Sequence, residues 1–279
     1  MAVSHEIQYF LGANSPSGFY SLYSELLPPE TANVIYILKG GPGCGKSTLM
    51  RRVAQRAAQA GETVEYILCS GDPDSLDAVV LPRLGAALVD GTAPHVVEPK
   101  YPGAVEQYVN LGDCYDRSGL RAIRSEILTC MDGYKAHYQR AYRCLDAASE
   151  IQTDVRAMLI TPALEEKLAA RAHGILSREL KPKHTSSAGC VKQRFLDAIS
   201  HKGSITLFQT ACAQCTRIYE LSDSYGLAHL MLTHLLAGGI MGGYDMVACP
   251  DPMAPDRLSH LLVPELGLAF LSACPAQPF

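Results

Sequence analysis

The apolar residues of the first 112 positions form strand-like runs separated by a helical pattern. Residues 34–38 are a short, nearly continuous apolar run bounded by a glycine cluster, as expected for a buried parallel strand. A helical pattern follows over 47–60 and ends at Gly61, and residues 63–68 form the next apolar run. Strand, helix and strand in about 35 residues make one βαβ unit, which predicts an α/β fold with a doubly wound parallel sheet and helices on both faces.

The periodicity becomes helical throughout the next zone. Apolar residues recur every three or four positions from Leu120 to Leu159, which places one stripe along a very long helix. Pro162 follows, and a shorter helical pattern covers 163–180. We therefore expect a helical hairpin or small helical subdomain at 117–189.

The last zone repeats parts of the first. Residues 10–23 and 195–208 are identical at six of 14 positions with a constant shift of 185, and 81–87 match 263–269 with a shift of 182. The order of the matches is kept. The sequence predicts a tandem duplication, with an α/β half at 1–116, the helical insertion at 117–189 and a degenerate second half at 190–279.

Composition limits the classes of protein to consider. Of 279 residues, 48% are hydrophobic and 19% charged, and the net charge is −4, which excludes global disorder and argues against a chain built to coat nucleic acid or an anionic membrane. The segment 117–183 alone is +4; a solvated helix face explains this simply, although contact with nucleic acid or a protein partner is compatible with it. No signal peptide or long apolar run is present, so we expect a cytoplasmic protein that does not enter the membrane.

A phosphate-binding pattern directly follows the first predicted strand. Positions 40–48 fit G-x-x-x-x-G-K-[ST], in which glycines let backbone N–H groups approach a polyphosphate and the following helix directs its positive end at it. The predicted nucleotide-binding residues are Gly40, Gly41, Pro42, Gly43, Cys44, Gly45, Lys46, Ser47 and Thr48. Lys46 is expected to reach the β and γ oxygens of ATP, and the Ser47 hydroxyl to bind Mg²⁺. Oxidation of Cys44 in this loop is expected to block phosphate binding.

Carboxylates elsewhere in the first half are candidates for the chemistry. Asp90 closes the apolar run 86–89, so we assign it to the metal, although a simple turn at 90–91 is the alternative. Among Asp72, Asp74 and Asp77, which follow the second predicted strand, we assign chemistry to Asp72 alone, since helix capping explains Asp74. The predicted catalytic residues are Lys46, Asp72 and Asp90. His95 is a weaker candidate as a γ-phosphate sensor, and an ordinary loop histidine is the favoured interpretation.

The second half lacks the lysine of the motif. Positions 222–231 align with the phosphate-binding loop, but Ala228 or His229 replaces the lysine, and Asp223 stands where a phosphate would lie. A negative charge there repels a triphosphate. We therefore expect this half to be a structural or regulatory copy. Cys212 and Cys215 form a lone C-x-x-C without the second pair that a zinc site requires.

Several strings together resemble a known family. They are residues 38–50 (LKGGPGCGKSTLM), 69–77 (CSGDPDSLD), 89–95 (VDGTAPH) and 99–105 (PKYPGAV). With them the chain resembles poorly characterised bacterial P-loop ATP-binding proteins, which are predicted ATPases with two related halves and a helical insertion. The family pattern has a P-loop-like second half, and the departure at 222–229 argues against a second nucleotide site here.

The patterns taken together predict a Mg-dependent ATPase. Nucleotide binding in the first half is expected to drive a shape change that is relayed to the helical zone and to an unknown protein or small-molecule partner. Because Gly91, and no acid, follows Asp90, the catalytic glutamate common in ATPases is missing at that position. A kinase for a nucleotide or another metabolite, with Asp72 as its base, is the alternative, and an ATP-sensing module without hydrolysis is the third.

Overall fold

The computed structural model describes residues 6–94, 96–183, 187–275 and 278–279, and it combines helices with parallel and antiparallel strands. The predicted α/β character is confirmed at this level. The chain divides into two compact units, Met1–Asp146 and Ala147–Phe279, which we call the first and second units. The division falls inside one long helix, whereas the predicted boundaries at 116/117 and 189/190 stay predictions.

The first unit contains eight described strands and the first three helices. The strands are β1 Ile7–Phe10, β2 Gly12–Ser15, β3 Gly18–Ser21, β4 Val34–Lys39, β5 Glu65–Leu68, β6 Leu76–Leu81, β7 Ala86–Asp90 and β8 Glu106–Asn110. The helices are α1 Lys46–Gln59, α2 Arg117–Ala122 and α3 Arg124–Leu159, which continues into the second unit. The predicted strand, helix and strand after residue 33 are confirmed to within two residues.

The main sheet of the first unit is mixed, which corrects the predicted parallel sheet. Its order is β1-β5-β6-β7-β4-β8, and β6 runs antiparallel to both neighbours. The connections 69–75 and 82–85 on either side of β6 are shorter than the dozen or so residues that a parallel crossover needs. Strands β4 and β5 therefore have the same direction but are separated by β7 and β6, so they are not the adjacent pair of a simple βαβ unit.

Helix α1 covers this sheet with its apolar face. Met50 and Ala54 of α1 are fully buried, and the helix packs mainly against β6. Apolar side chains of the sheet, including Ile37, Ile67 and Val79, are buried as well. The amphipathic pattern over 47–60 thus folds as predicted, because three- and four-residue spacing places its apolar residues on one face.

The second unit contains seven strands and three further helices in its described part. The strands are β9 Val191–Gln193, β10 Asp197–Ser200, β11 Gly203–Thr206, β12 Arg217–Ser222, β13 Met246–Asp251, β14 Ala254–Val263 and β15 Leu268–Ala273. The helices are α4 Pro162–Glu179, α5 Phe208–Gln214 and α6 Ala228–Met241.

The second sheet has the order β12-β15-β14-β13-β9. In this sheet β12 is parallel to β15, β14 is antiparallel to both of its neighbours, and β13 is parallel to β9. The same sequence of directions occurs along β4-β7-β6-β5-β1 of the first sheet. The turns before β7 and β15 also agree, since Gly85 and Gly267 both have φ near +57°. Five strands of each unit therefore have the same order and directions, whereas β8 of the first sheet has no counterpart among the described strands of the second.

Helix α4 packs against α6 rather than against α3. Ala172 and Ile175 of α4 share one buried cluster with Leu232 and Leu235 of α6 and Phe270 of β15. Among the described residues α3 and α4 have no extended contact, so the predicted helical hairpin is not formed as a packed pair. The reason is that the apolar face of α4 is buried against the second sheet's helix.

Helix α3 is long, as the stripe predicted, but its first turns are exposed. Leu120 in α2, Ile123, and Met131 in α3 are each at least 40% exposed, whereas Tyr138 and Tyr142 are partly buried. Regular spacing predicted the helix but not what would cover it. None of the helices in the described ranges is both long and apolar enough to span a bilayer.

Candidate nucleotide-binding site

The loop between β4 and α1 has the backbone shape that its glycines allow. Gly43 and Gly45 have φ angles of +77° and +91°, in the left-handed region that residues with a Cβ atom avoid. A Cβ on Gly40 would lie 2.6 Å from the Cys44 Sγ. The local sequence thus specifies a tight loop that ends directly at the first turn of a helix, where backbone N–H groups can bind a phosphate.

Lys46 lies back over this loop. Its Nζ donates to the carbonyl oxygens of Gly40 at 2.6 Å and Gly41 at 3.0 Å, and only 8% of the residue is exposed. The same Nζ is 3.4 Å from the Asp90 Oδ2. A mostly buried ammonium group is therefore held at the mouth of the loop by two carbonyls and one carboxylate.

Asp90 lies where the sequence placed it. It is the last residue of β7, which is parallel to β4 and pairs Asp90 with Leu38. Its Oδ1 accepts hydrogen bonds from the N–H and hydroxyl of Thr92, so one oxygen is used by the turn and the other faces Lys46. Asp90 therefore both stabilises the turn that follows β7 and contacts Lys46. That it binds a metal ion stays a prediction.

The proposed magnesium ligands fit a site in which most ligands come from the nucleotide. Ser47 begins the helix beside Lys46, and its Oγ accepts the Leu76 N–H at 3.0 Å, which leaves a second lone pair on the oxygen. No group of three or more His, Cys, Asp or Glu side chains with metal-binding geometry occurs in the described part of the chain. Mg²⁺ in phosphate sites needs only one or two protein oxygens besides phosphates and waters.

No contact between Asp72 and Lys46 is found among the described residues. It is exposed, and its Oδ2 accepts the Ser75 hydroxyl at 2.7 Å. The strand before it, β5, is three places from β4 in the sheet. The role of Asp72 as a base remains a prediction. His95, the weaker candidate for a phosphate sensor, lies outside the described residues.

Tyrosines near the loop escaped the sequence analysis. The Tyr115 hydroxyl accepts a hydrogen bond from the Gly41 N–H. The Tyr138 side chain of α3 lies close against Gly71, since a Cβ added to that glycine would be only 2.6 Å from the Tyr138 Oη. The Tyr142 hydroxyl, also on α3, donates to the Asn14 Oδ1 at 3.1 Å. The sequence analysis predicted no strand before Tyr115, and nothing in the sequence pairs α3 with residues 14 and 71, so neither contact could be anticipated.

A buried pair beside these loops involves the third acid of the 72–77 cluster. The Tyr23 hydroxyl donates to the Asp77 Oδ2 at 2.9 Å, and both residues are buried. Burial, followed by the Asp77 charge, raises the pKa of Tyr23 well above its ordinary value. Burial likewise raises the pKa of the Cys69 thiol to about 12, so this thiol stays protonated.

The corresponding junction of the second unit is occupied by its own side chain. Asp223 accepts the N–H groups of Leu227 at 2.7 Å and Ala228 at 2.8 Å with its two carboxylate oxygens. Those N–H groups belong to the start of α6, where a phosphate would have to bind. The structure thus places the carboxylate at the helix start, as the alignment predicted.

The chain belongs to the nephrocystin 3, N-terminal family, whose model matches residues 21–177, more than half of the chain. The match includes the phosphate-binding loop and α3. Neither a curated protein nor a solved structure matches the chain significantly. The resemblance to bacterial P-loop ATP-binding proteins is a separate statement from this family membership and stays a prediction.

Proposed function

For this member of the nephrocystin 3, N-terminal family, we propose a Mg-dependent ATPase activity with its nucleotide site in the first unit. One observation carries the proposal. A glycine loop with two left-handed residues joins β4 to α1, and Lys46 lies between that loop and the carboxylate of Asp90 on the neighbouring strand. This is the arrangement that binding the phosphates of ATP requires.

Each residue has a defined task in this proposal. The N–H groups of residues 43–47 surround the phosphates, and Lys46 exchanges its carbonyl partners for β and γ oxygens. Ser47 and Asp90 would hold Mg²⁺, which supplies positive charge that neutralises the phosphates. Since Lys46 is already mostly buried and fixed, it needs little reorganisation to act.

Contacts within the first unit support the proposed relay to α3. The Ser47 Oγ binds the Leu76 N–H at the start of β6, and the preceding loop contains Ser70, whose carbonyl accepts the Asn14 Nδ2 at 3.3 Å. Asn14 in turn accepts the Tyr142 hydroxyl of α3. A displacement of Ser47 therefore reaches α3 through a few polar contacts and one short loop.

We further propose that the second unit is a degenerate copy of the first, within a P-loop type of fold. The shared strand order supports this proposal, as do the matches at shifts of 182 and 185, and α1 and α6 have 14 residues each. Asp223 at the start of α6 would exclude a triphosphate from that junction.

A kinase is the second candidate function, and two observations favour it. Gly91 follows Asp90, so a glutamate does not stand ready to activate water there. Asp72 is exposed at the edge of the sheet to which the carboxyl ends of β4 and β5 point, where it could accept a proton from a substrate hydroxyl.

ATP turnover with and without acceptors distinguishes these functions. The wild-type chain is assayed for ADP release alone and with a panel of metabolites and nucleic acids, beside Lys46→Ala and the matched surface variant Lys167→Ala. We expect Mg-dependent ADP release without an acceptor, lost in Lys46→Ala and kept in Lys167→Ala. Phosphate transfer to an acceptor would instead establish the kinase. If ATP binds but neither ADP release nor phosphate transfer is detected, the ATP-sensing module is the function that the result supports.

A further inference from the structure

The second unit contains a cavity that the nucleotide proposal does not use. It has a volume of about 480 Å³ and lies beside the ends of β12 and β15 and the first turn of α6. Residues 151–156 of α3 form another wall. Its position in the second unit corresponds to that of the glycine loop in the first, but its residues are of a different kind.

Two arginine side chains line this cavity, and among the described residues neither has an acidic side chain within ion-pair distance. Arg156 is only 6% exposed; its Nε donates to the Tyr225 carbonyl at 3.2 Å and its Nη2 to the Gln152 Oε1 at 2.9 Å, both neutral acceptors. One terminal nitrogen of Arg257 is buried and has no hydrogen-bond partner among the described residues. Burial, followed by the charge of Arg257, lowers the pKa of Arg156, while the charges of Asp251, Asp223 and Asp256 act in the opposite direction.

The carboxylates of the cavity are occupied by other donors. Asp223 accepts the N–H groups at the start of α6, and Asp197 accepts the Thr206 hydroxyl at 2.6 Å and contacts the His260 Nε2 at 2.9 Å. Asp251 accepts the Met253 N–H, and its burial raises its pKa. None of the ion pairs within the described ranges joins one of these acids to Arg156 or Arg257.

Histidines of the cavity do not compete for the same role. His260 accepts the Ser272 N–H with Nδ1, so its proton is on Nε2, toward Asp197, and both nitrogens are used. His229 contacts the Gly226 carbonyl through Nδ1, and burial lowers its pKa, which favours the neutral ring. The positive charge of the cavity therefore comes from the two arginines.

We propose that this cavity binds a small organic anion, a phosphate or carboxylate compound, through Arg156 and Arg257. A buried donor without an acceptor is unfavourable, and guanidinium groups match the oxygens of both anions. A cavity of this volume with apolar walls such as Ile151, Val155 and Met253 suits a small metabolite rather than a bare ion. This site is independent of the nucleotide site proposed for the first unit.

Binding of three probes to the whole chain tests the proposal. Inorganic phosphate, adenosine monophosphate and citrate are titrated by calorimetry against the wild type, Arg257→Gln, Lys46→Ala and the exposed control Arg124→Gln. We expect at least one probe to bind the wild type, Lys46→Ala and Arg124→Gln equally, and Arg257→Gln at least about tenfold more weakly. The identity of the bound probe decides between phosphate and carboxylate.

Two outcomes would overturn the site. One is that none of the three probes binds; the other is that binding is lost in Lys46→Ala but kept in Arg257→Gln, which would assign the anion to the glycine loop. Should Arg257→Gln fail to fold, as judged by its thermal unfolding, Arg257→Lys replaces it. That variant keeps the charge but not the planar pair of donors, so it should still bind the probe several-fold more weakly.

Discussion

The two units share an arrangement of five strands but differ in the chemistry of the junction between one of these strands and the following helix. Between β4 and α1, glycines with positive φ leave backbone N–H groups open, and Lys46 adds a positive charge. Between β12 and α6, Asp223 takes the N–H groups at the helix start for itself. The comparison teaches that the sheet supplies a position, while the few residues between strand and helix decide what binds there.

The largest expected effect on the free energy of unfolding comes from truncating one fully buried side chain in each unit. Ile37→Ala in β4 and Phe270→Ala in β15 each remove a side chain that is fully buried, and they should cost about 2–5 and about 3–5 kcal/mol respectively. We expect hydrogen exchange to accelerate chiefly in the sheet that carries the change. Equal acceleration in both sheets would instead mean that the two units unfold together as one cooperative structure.

Nucleotide affinity should depend on one unit only. Lys46→Ala removes a charge-assisted contact to phosphate, worth about 1.5–3 kcal/mol, so ATP should bind about 10- to 100-fold more weakly. His229→Ala, at the aligned position of the second unit, should leave ATP affinity unchanged. A titration with a fluorescent ATP analogue measures both; a comparable loss in His229→Ala would place nucleotide in the second unit.

A matched pair of glycines probes how tightly each unit holds the same turn. Gly85 and Gly267 share a φ near +57°, but a Cβ on Gly85 would lie 2.6 Å from the Thr31 carbonyl oxygen, against 3.2 Å to the Thr216 Oγ1 for Gly267. Gly85→Ala should therefore cost about 2–3 kcal/mol and Gly267→Ala about 1 kcal/mol. Denaturant unfolding of both variants checks the order, which a larger loss in Gly267→Ala would reverse.

The smallest expected effect is a pH dependence confined to the second unit. Because burial lowers the pKa of His229, the unfolded chain binds its proton first as the pH falls through about 6.5. Stability should fall from that pH down to the lower folded pKa and then level off. His229→Gln should flatten this part of the profile, whereas His234→Gln, on the exposed side of the same helix, should not. An unchanged profile in His229→Gln would contradict the assignment.

The local parts of the site could be predicted, and the distant parts could not. Gly43, Gly45 and Lys46 are neighbours in the chain, so their geometry follows from the backbone freedom of glycine and the start of a helix. Asp90 could be predicted as the end of an apolar strand, and it does lie next to Lys46. The tyrosines of α3 could not, because helical periodicity states which face is apolar but not what it covers.

The sequence by itself determined helices α1, α3 and α4, the strands on either side of α1 and the glycine loop, since spacing and backbone freedom act over a few residues. Only the tertiary structure decided that β6 and β7 lie between β5 and β4, because short connections force antiparallel pairs whatever the strand sequence. It also decided that α4 packs on α6 and that Arg156 and Arg257 share one cavity. Those arginines are about a hundred residues apart, and only long-range packing, which no local pattern records, brings their charges together.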